Sequence, residues 1–327
     1  MGHRRDRPHH AAFGAVTSKR KVLYMAQFQI KPFDRTLFPA LYRCADDASS
    51  SGQRWYVRWV FVNLSLLFVG ALVGSIGFTD VANKQIAYTI SAIVFFGAVG
   101  VTILLATRRW EKIWYAGRAV AESAKSLTWK FVCAADPFPS SLSHPKAVDL
   151  FASSLRELLT ENKHLASLLA GPDAMGEQVT EYMTGLRDAA VGVKRDVYLA
   201  QRVTDQQLWY AQKATDSRNK RNIWFALVVV FQLAAGGSAV LLAAHPTFPW
   251  KASAVFSTLA SATVAWGTMK RFQELAQSYG LAAQELSLIA ARAPYVGTKD
   301  ELSRFVNDAE TAISREHAMW VARRETK

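Results

Sequence analysis

Four stretches of this chain contain no Asp, Glu, Lys or Arg: residues 59–78, 86–106, 222–244 and 252–269. A helix needs about 20 apolar residues to cross a hydrocarbon core roughly 30 Å thick. The first three runs meet that length. The fourth has 18 residues, many of them Ser and Ala, and counts as a span mainly because of its partner across a short loop. Buried core helices of a soluble bundle are the competing reading, and the run lengths disfavour it. No strand-like alternation of useful length is present. The sequence therefore predicts an all-α membrane protein built from two transmembrane helical hairpins (four spans) extended by long cytosolic helices. The first apolar run begins at Trp59, so no N-terminal signal peptide is expected.

Charge sets the orientation. The chain of 327 residues has 39 Lys and Arg against 26 Asp and Glu, a formal net charge of +13. Such basicity fits either nucleic acid or an anionic membrane surface, and its distribution separates the two. The loop TDVANKQ holds one lysine and HPTFPWK one more, so all but two of the basic residues fall on the opposite side of the membrane. Arg58, Arg108, Arg109, Arg221, Lys270 and Arg271 stand directly beside the runs. The positive-inside rule then puts the N-terminus, the middle and the C-terminus in the cytoplasm of a multi-pass inner-membrane protein. Nucleic acid is not needed to explain the charge and is not expected as a partner.

The two hairpins look like copies. A shift of 163 positions pairs Arg58 with Arg221, Leu64 with Leu227, Phe68 with Phe231 and Gly74-Ser75 with Gly237-Ser238. Beyond the spans it pairs Arg108 with Arg271, Glu111 with Glu274, Gly117 with Gly280 and Glu122 with Glu285, without a gap. Because both hairpins enter from the cytoplasm, the repeat is parallel, about an axis along the membrane normal.

Past Arg109, the stretch WEKIWYAGRAVAESAKSLTWKF carries Trp110, Trp114, Ala121, Leu127 and Phe131 as a rough apolar stripe. It predicts one helix leaving the membrane and continuing about six turns, until the prolines of DPFPSSLSHP stop it. Trp110, Trp114 and Tyr115 suit the headgroup layer. A helix is expected over 146–170, closed by Gly171-Pro172, and a long charged helix from Glu177 into the third run. Near the C-terminus, Thr298 three residues before Glu301 has capping-box spacing. Leu302, Phe305, Val306, Ala309, Ile313 and Trp320 then share a face. The first 24 residues lack a sustained apolar pattern and are expected to be disordered, with Met25 an alternative start.

Catalytic signatures are absent. GTK at 297–299 lacks the rest of a phosphate loop. The histidines are scattered, with no HExxH and no Cys partner at metal spacing. Cys44 and Cys133 both fall in cytoplasmic segments, where a disulfide is not expected. Neither an enzyme nor a cofactor is predicted. Within the spans the candidates are polar. Asn63, Gln232 and the stripe Ser253, Ser257 and Ser261 would face water in an oligomeric pore. Gly70-x-x-x-Gly74 has the spacing of a close-packing face. The bland alternative is that small residues merely let helices touch. No charged residue lies in any run, which argues against a proton-coupled transporter.

RRWEKIWYAGRAVAESAKSLTWKFVCAADPF, the earlier LYRCADDASSSGQ and the closing FVNDAETAISREHAMWVARR resemble the SLATT family, the SMODS and SLOG-associating two-transmembrane effectors of prokaryotes. Two tandem copies would cover most of the chain: a basic tail at 1–31, a first repeat at 32–170 and a second at 171–327. The resemblance implies a pore-forming effector of antiviral and other conflict systems, triggered by a nucleotide second messenger or a cytosolic sensor protein. No fused nucleotide-sensing domain is recognised, which departs from the family pattern and counts against direct ligand sensing, for which a pocket among the cytosolic helices is the remaining alternative. The other reading is a non-conducting membrane anchor or scaffold that recruits a cytosolic partner. For the pore, a homo-oligomer is expected, with Glu122 and Glu285 on the exit helices and Arg315 and Glu316 on the C-terminal helix as candidate gating residues.

Overall fold

The computed structural model describes residues 33–77, 80–170, 172–247 and 251–325, without the side chains of 172, 173 and 315 onward. The N-terminal tail, Met25 and the side chain of Trp320 lie outside the described residues. Among those described the structure is helical and contains no strand.

Helix α1 (Ala40–Ser75) starts behind Pro39 and runs 36 residues without a break. Its partner α2 (Val81–Arg108) begins at Asp80, whose carboxylate accepts the Asn83 N–H at 3.0 Å. That bond satisfies one of the donors every helix N-terminus leaves open. Helix α3 (Trp110–Val132) follows, and both α2 and α3 pack along α1. Pro145 lies in the first turn of α4 (His144–Glu161), where its missing N–H is harmless. Single turns lead to α5 (Glu181–Asp188), capped by the Thr180 hydroxyl, and α6 (Val191–Tyr198). A π-helical turn at Leu199–Val203 joins α6 to α7 (Thr204–Ala244). Then come α8 (Ala252–Lys270), α9 (Phe272–Ala290) and α10 (Lys299–Glu325). The capping box holds α10: the Thr298 and Gly297 amides donate to Glu301, and the Glu301 amide donates to the Thr298 hydroxyl.

Two expectations need correction. The helix leaving the first hairpin is not continuous, because Arg109 sits in the left-handed region at φ 49°, ψ 38°. Its N–H closes α2 on the Leu105 carbonyl, and its own carbonyl accepts the first bonds of α3 from Lys112 and Ile113. Arg271 does the same between α8 and α9 at φ 53°, ψ 38°. The expected helix from Glu177 is likewise broken, at Ala189 in extended backbone (ψ 160°), and runs unbroken only from Val191.

Among the described residues three helices are long and apolar enough to cross a membrane: Ala40–Ser75, Val81–Val132 counted through Arg109, and Val191–Ala244 counted through the π turn. Their apolar runs are mostly exposed, Phe96 by 76% and Leu233 by 71%. In water an apolar surface of that extent would be costly; in lipid it is the natural exterior. At the other end the chain builds an ordinary buried core. Trp129, Phe131, Phe151, Tyr198 and Phe305 are sealed where α3, α4, α6 and α10 converge. Leu302, Val306, Ala309 and Ile313 join Phe305 on the buried face of α10.

The first half is clamped by close backbone approach. A Cβ on Gly52 would lie 2.8 Å from the Trp114 backbone nitrogen, and one on Gly117 would lie 2.9 Å from that of Ser49. Ser49 adds a hydrogen bond to the Trp114 carbonyl at 3.0 Å. The matching Gly280 of the second half has nothing within 4 Å. Helix α8 packs beside α7 and α1. The Lys251 N–H reaches the Ser75 carbonyl at one end, and the Trp266 ring meets Phe61 at the other, so α8 runs antiparallel to α1.

Candidate functional site

The polar candidates of the apolar runs divide into two groups. Asn63 faces inward: its amide donates to the Thr102 hydroxyl at 3.4 Å, and its carbonyl oxygen is buried without a partner. Gly70 is also used within the chain. It lies beneath the Phe95 ring, and the Ser91 hydroxyl donates to its carbonyl at 2.8 Å. Gly74 meets the same Ser91 from one turn further on. The Gly70–Gly74 face therefore packs α1 on α2, which leaves Gly70 covered from other copies of the chain.

Gln232, Ser257 and Ser261 point the other way. All three are exposed, and Ser253 is half-exposed. The opposite face of α8, with Ala252, Val255, Ala260 and Thr263, is the buried one. An α-helix turns every 3.6 residues, so serines four apart share one side, here the side turned away from the chain's own helices.

Tryptophans gather where the apolar runs end. Trp110 stacks with Trp55 and Trp59 at 6.0 and 6.3 Å, and Trp224 meets Trp266 at 6.0 Å. Such rings prefer the layer between hydrocarbon and water. The basic residues stand in the same layer. Arg58 lies over Trp55 and Lys270 over Trp266, 5.7 and 5.0 Å from the ring centres. Arg221 hydrogen-bonds Asn222, Arg271 pairs with Glu274, and Arg108 and Arg109 are exposed.

Deeper in the packed helical head lies a group that no sequence motif marked. Arg202, on the π turn, meets Glu310 of α10 in a two-pronged contact: Nε to Oε1 at 2.9 Å and Nη2 to Oε2 at 2.8 Å. The Tyr198 hydroxyl donates to the same Oε1 at 2.9 Å. The Arg202 Nη1 is buried with no hydrogen-bond partner. Burial opposes the charge on Arg202, but the Glu310 charge and hydrogen bonds more than offset it, and the guanidinium is held above its ordinary value. Burial, then Glu310, pushes the Tyr198 phenol well up. A signal was available in the sequence. Glu310 is one turn from Val306 and next to Ala309, a charge inside an apolar stripe. Arg202 has no such mark, because a π turn shifts its face.

Of the expected gating residues, Glu122 is drawn into this group. Half-buried on α3, it acts electrostatically on Arg202 and on Tyr42. Tyr42 is pushed up to about 12 by burial, with Asp46 and Glu122 adding to it. Glu285 is half-buried on α9. The side chains of Arg315 and Glu316 lie outside the described residues. Among the described residues no group of three or more His, Cys, Asp or Glu could hold a metal ion, and Cys44 and Cys133 are both buried and form no disulfide.

This architecture, apolar helices exposed over a span's length and continued into a packed helical head, defines a helical membrane protein. Residues 39–195 match the family described as SMODS and SLOG-associating 2TM effector domain 3 (SLATT_3). Residues 198–320 match SMODS and SLOG-associating 2TM effector domain 1 (SLATT_1). The chain belongs to the SLATT family, with two domains of it in tandem. No curated protein and no solved structure matches the chain.

Proposed function

We propose that this chain is a pore-forming effector that assembles as a homo-oligomer in the inner membrane and permeabilises it when a cytosolic signal rearranges its head. The reading has four spans, with both termini in the cytoplasm. The antiparallel course of α8 along α1, level with it at Ser75 and at Phe61, supports the fourth span despite its serines.

One observation carries the pore reading: Gln232, Ser257 and Ser261 are turned outward from segments that otherwise face lipid. A polar group in hydrocarbon without a partner is costly. A second copy of the chain, or water between copies, removes that cost. Effector membership of both domains supports the same reading. The trigger, a nucleotide second messenger or a sensor protein, would act on the head, where α3, the π turn and α10 meet. A monomeric non-conducting anchor would leave the outward polar faces without a role, and an oligomeric one is separated from a pore by the experiment below.

The experiment is membrane potential in cells expressing the chain with its signalling partners, compared with Ser257→Leu. Depolarisation on triggering that is lost in Ser257→Leu, with expression and membrane insertion unchanged, is the expected result. A triggered cell that keeps its potential would sink the pore in favour of the anchor.

A further inference from the structure

We propose that a cavity between the two halves of the chain, at the level where the apolar runs end, binds the phosphate of an anionic phospholipid headgroup. The inference rests on the membrane reading above and not on conduction.

The cavity encloses about 350 Å³ and takes lining from α1, α3, α7 and the α8–α9 junction. That volume is at the small end of ligand sites, enough for a headgroup. Its depth follows from the sequence: Lys220 is two residues before the third apolar run, and Lys270 directly follows the fourth. A phospholipid phosphate lies at this boundary between hydrocarbon and water.

The lining is cationic. Arg118, Lys213, Lys220, Lys270 and Arg271 all contribute, and no Asp or Glu does. Arg271 is engaged by Glu274 from outside the lining. Lys213 lies over the Trp209 ring at 5.8 Å, as Lys270 does over Trp266. Aromatic faces fix an ammonium in place without cancelling its charge. Positive charges gathered from α3, α7 and the α8–α9 junction repel one another, and an anion placed among them removes that repulsion. Basic pockets between membrane helices on the cytoplasmic side suit anionic headgroups for this reason.

The apolar lining favours a lipid over a soluble nucleotide. Val57, Met269, Phe272 and Leu275 offer a greasy wall continuous with the spans. The rings that could stack a base are already committed: Tyr279 meets Trp209 at 5.3 Å and Tyr210 at 5.6 Å, while Trp114 stacks on Tyr115 at 4.7 Å. A lipid held here would touch α1 and α3 of the first domain and α7 and α9 of the second, tying the two together.

The test uses the full-length protein in neutral detergent, with melting temperature followed during titration by phosphatidylglycerol, phosphatidylcholine or inorganic phosphate. Phosphatidylglycerol is expected to raise it with the logarithm of its concentration above the dissociation constant, by roughly 5 °C at a hundredfold excess. Phosphatidylcholine and inorganic phosphate are expected to leave it unchanged. The variant Lys213→Gln/Lys220→Gln/Lys270→Gln should lose the shift, and Lys146→Gln/Arg156→Gln/Lys163→Gln, with the same charge removed from exposed positions elsewhere, should keep it. If the triple pocket variant does not fold, the exposed Lys220→Gln alone should right-shift the titration at least threefold. Equal shifts with phosphatidylcholine, or an intact response in the pocket variants, overturn the proposal. A response to inorganic phosphate alone replaces the lipid with a soluble anion. None of these outcomes depends on whether the protein conducts.

Discussion

Arg202 and Glu310, 108 residues apart in sequence, form a two-pronged ion pair whose side chains are only 2% and 1% exposed. It fastens the C-terminal helix to the π turn that leads into the third apolar run. A buried pair of this kind is weak evidence for stability, since desolvating both charges can cost as much as their attraction returns. Its value lies in specifying one arrangement, and π turns inside long helices often mark sites where function has been fitted.

Removing one partner should be far worse than removing both. Arg202→Met leaves a buried carboxylate and is expected to cost about 3–5 kcal/mol, roughly a 10 °C fall in melting temperature for a protein of this size. Arg202→Met/Glu310→Met removes the uncompensated charge and should recover more than half of that loss. Melting of the detergent-solubilised full-length chain measures both. A double variant no more stable than the single one would mean that packing, not charge, holds α10 in place.

The glycines of the first clamp make a prediction with an internal control. Ala at position 52 or 117 would push its Cβ into backbone at under 3 Å, so α1 and α3 must separate. Gly52→Ala and Gly117→Ala should each destabilise by about 1–3 kcal/mol. Gly280 occupies the matching place in open space, and Gly280→Ala should stabilise by up to ~1 kcal/mol through helix propensity alone. The same melting assay decides. Equal effects at 117 and 280 would contradict the asymmetry of the two halves.

The architecture was legible in sequence where one physical rule dominated. Apolar length marked the long helices, and the i, i+3, i+4 series on α10 marked the face that Leu302, Phe305 and Ile313 bury. The Thr298–Glu301 box was legible because its chemistry is local. The breaks at Arg109 and Arg271 were not, since arginine carries no turn signal and a left-handed non-glycine residue is normally disfavoured. The aligned pair was Arg108 and Arg271, whereas the breaks fall on Arg109 and Arg271, one residue out of step. Of the polar candidates, periodicity could place Ser253, Ser257 and Ser261 on one face. It could not say that Gly70 and Asn63 are spent on contacts within the chain, which depends on the register of α1 against α2.

Charge asymmetry and the position of α8 together fix an expected topology. Reporter fusions or single cysteines at Asn83 and Thr247 should be accessible only from outside the cytoplasm, and at Ser143 only from within. A cytoplasmic signal at Thr247 with an outside signal at Asn83 would show that α7 and α8 do not form a crossing hairpin.

Glu122 acts on Arg202, the residue that clamps α10, and thereby links the helix leaving the first hairpin to the head of the second. Lys125, one turn along α3, is held below its ordinary value chiefly by burial and then by the charge of Arg202, while Glu122, Glu310 and Asp205 work in the opposite direction. Glu122→Lys removes the negative charge there and adds a third positive one. Between fully exposed charges such a change is worth about 1 kcal/mol or less; here Arg202 is buried and Glu122 half-buried, so screening by water is weaker and the change at this junction is at least of that order. A shift of about 1.4 kcal/mol in a two-state balance changes the ratio of states tenfold, which is enough to populate a minor open form visibly. Glu122→Lys is therefore expected to raise basal leak or toxicity without the trigger. Glu285→Lys on the second exit helix should act in the same direction, and Arg202→Met should resemble Glu122→Lys. Propidium uptake or membrane potential at matched expression reads all three. If Glu122→Lys and Glu285→Lys both stay silent and still respond normally to the trigger, coupling between head and membrane runs by another route, and the anchor reading gains.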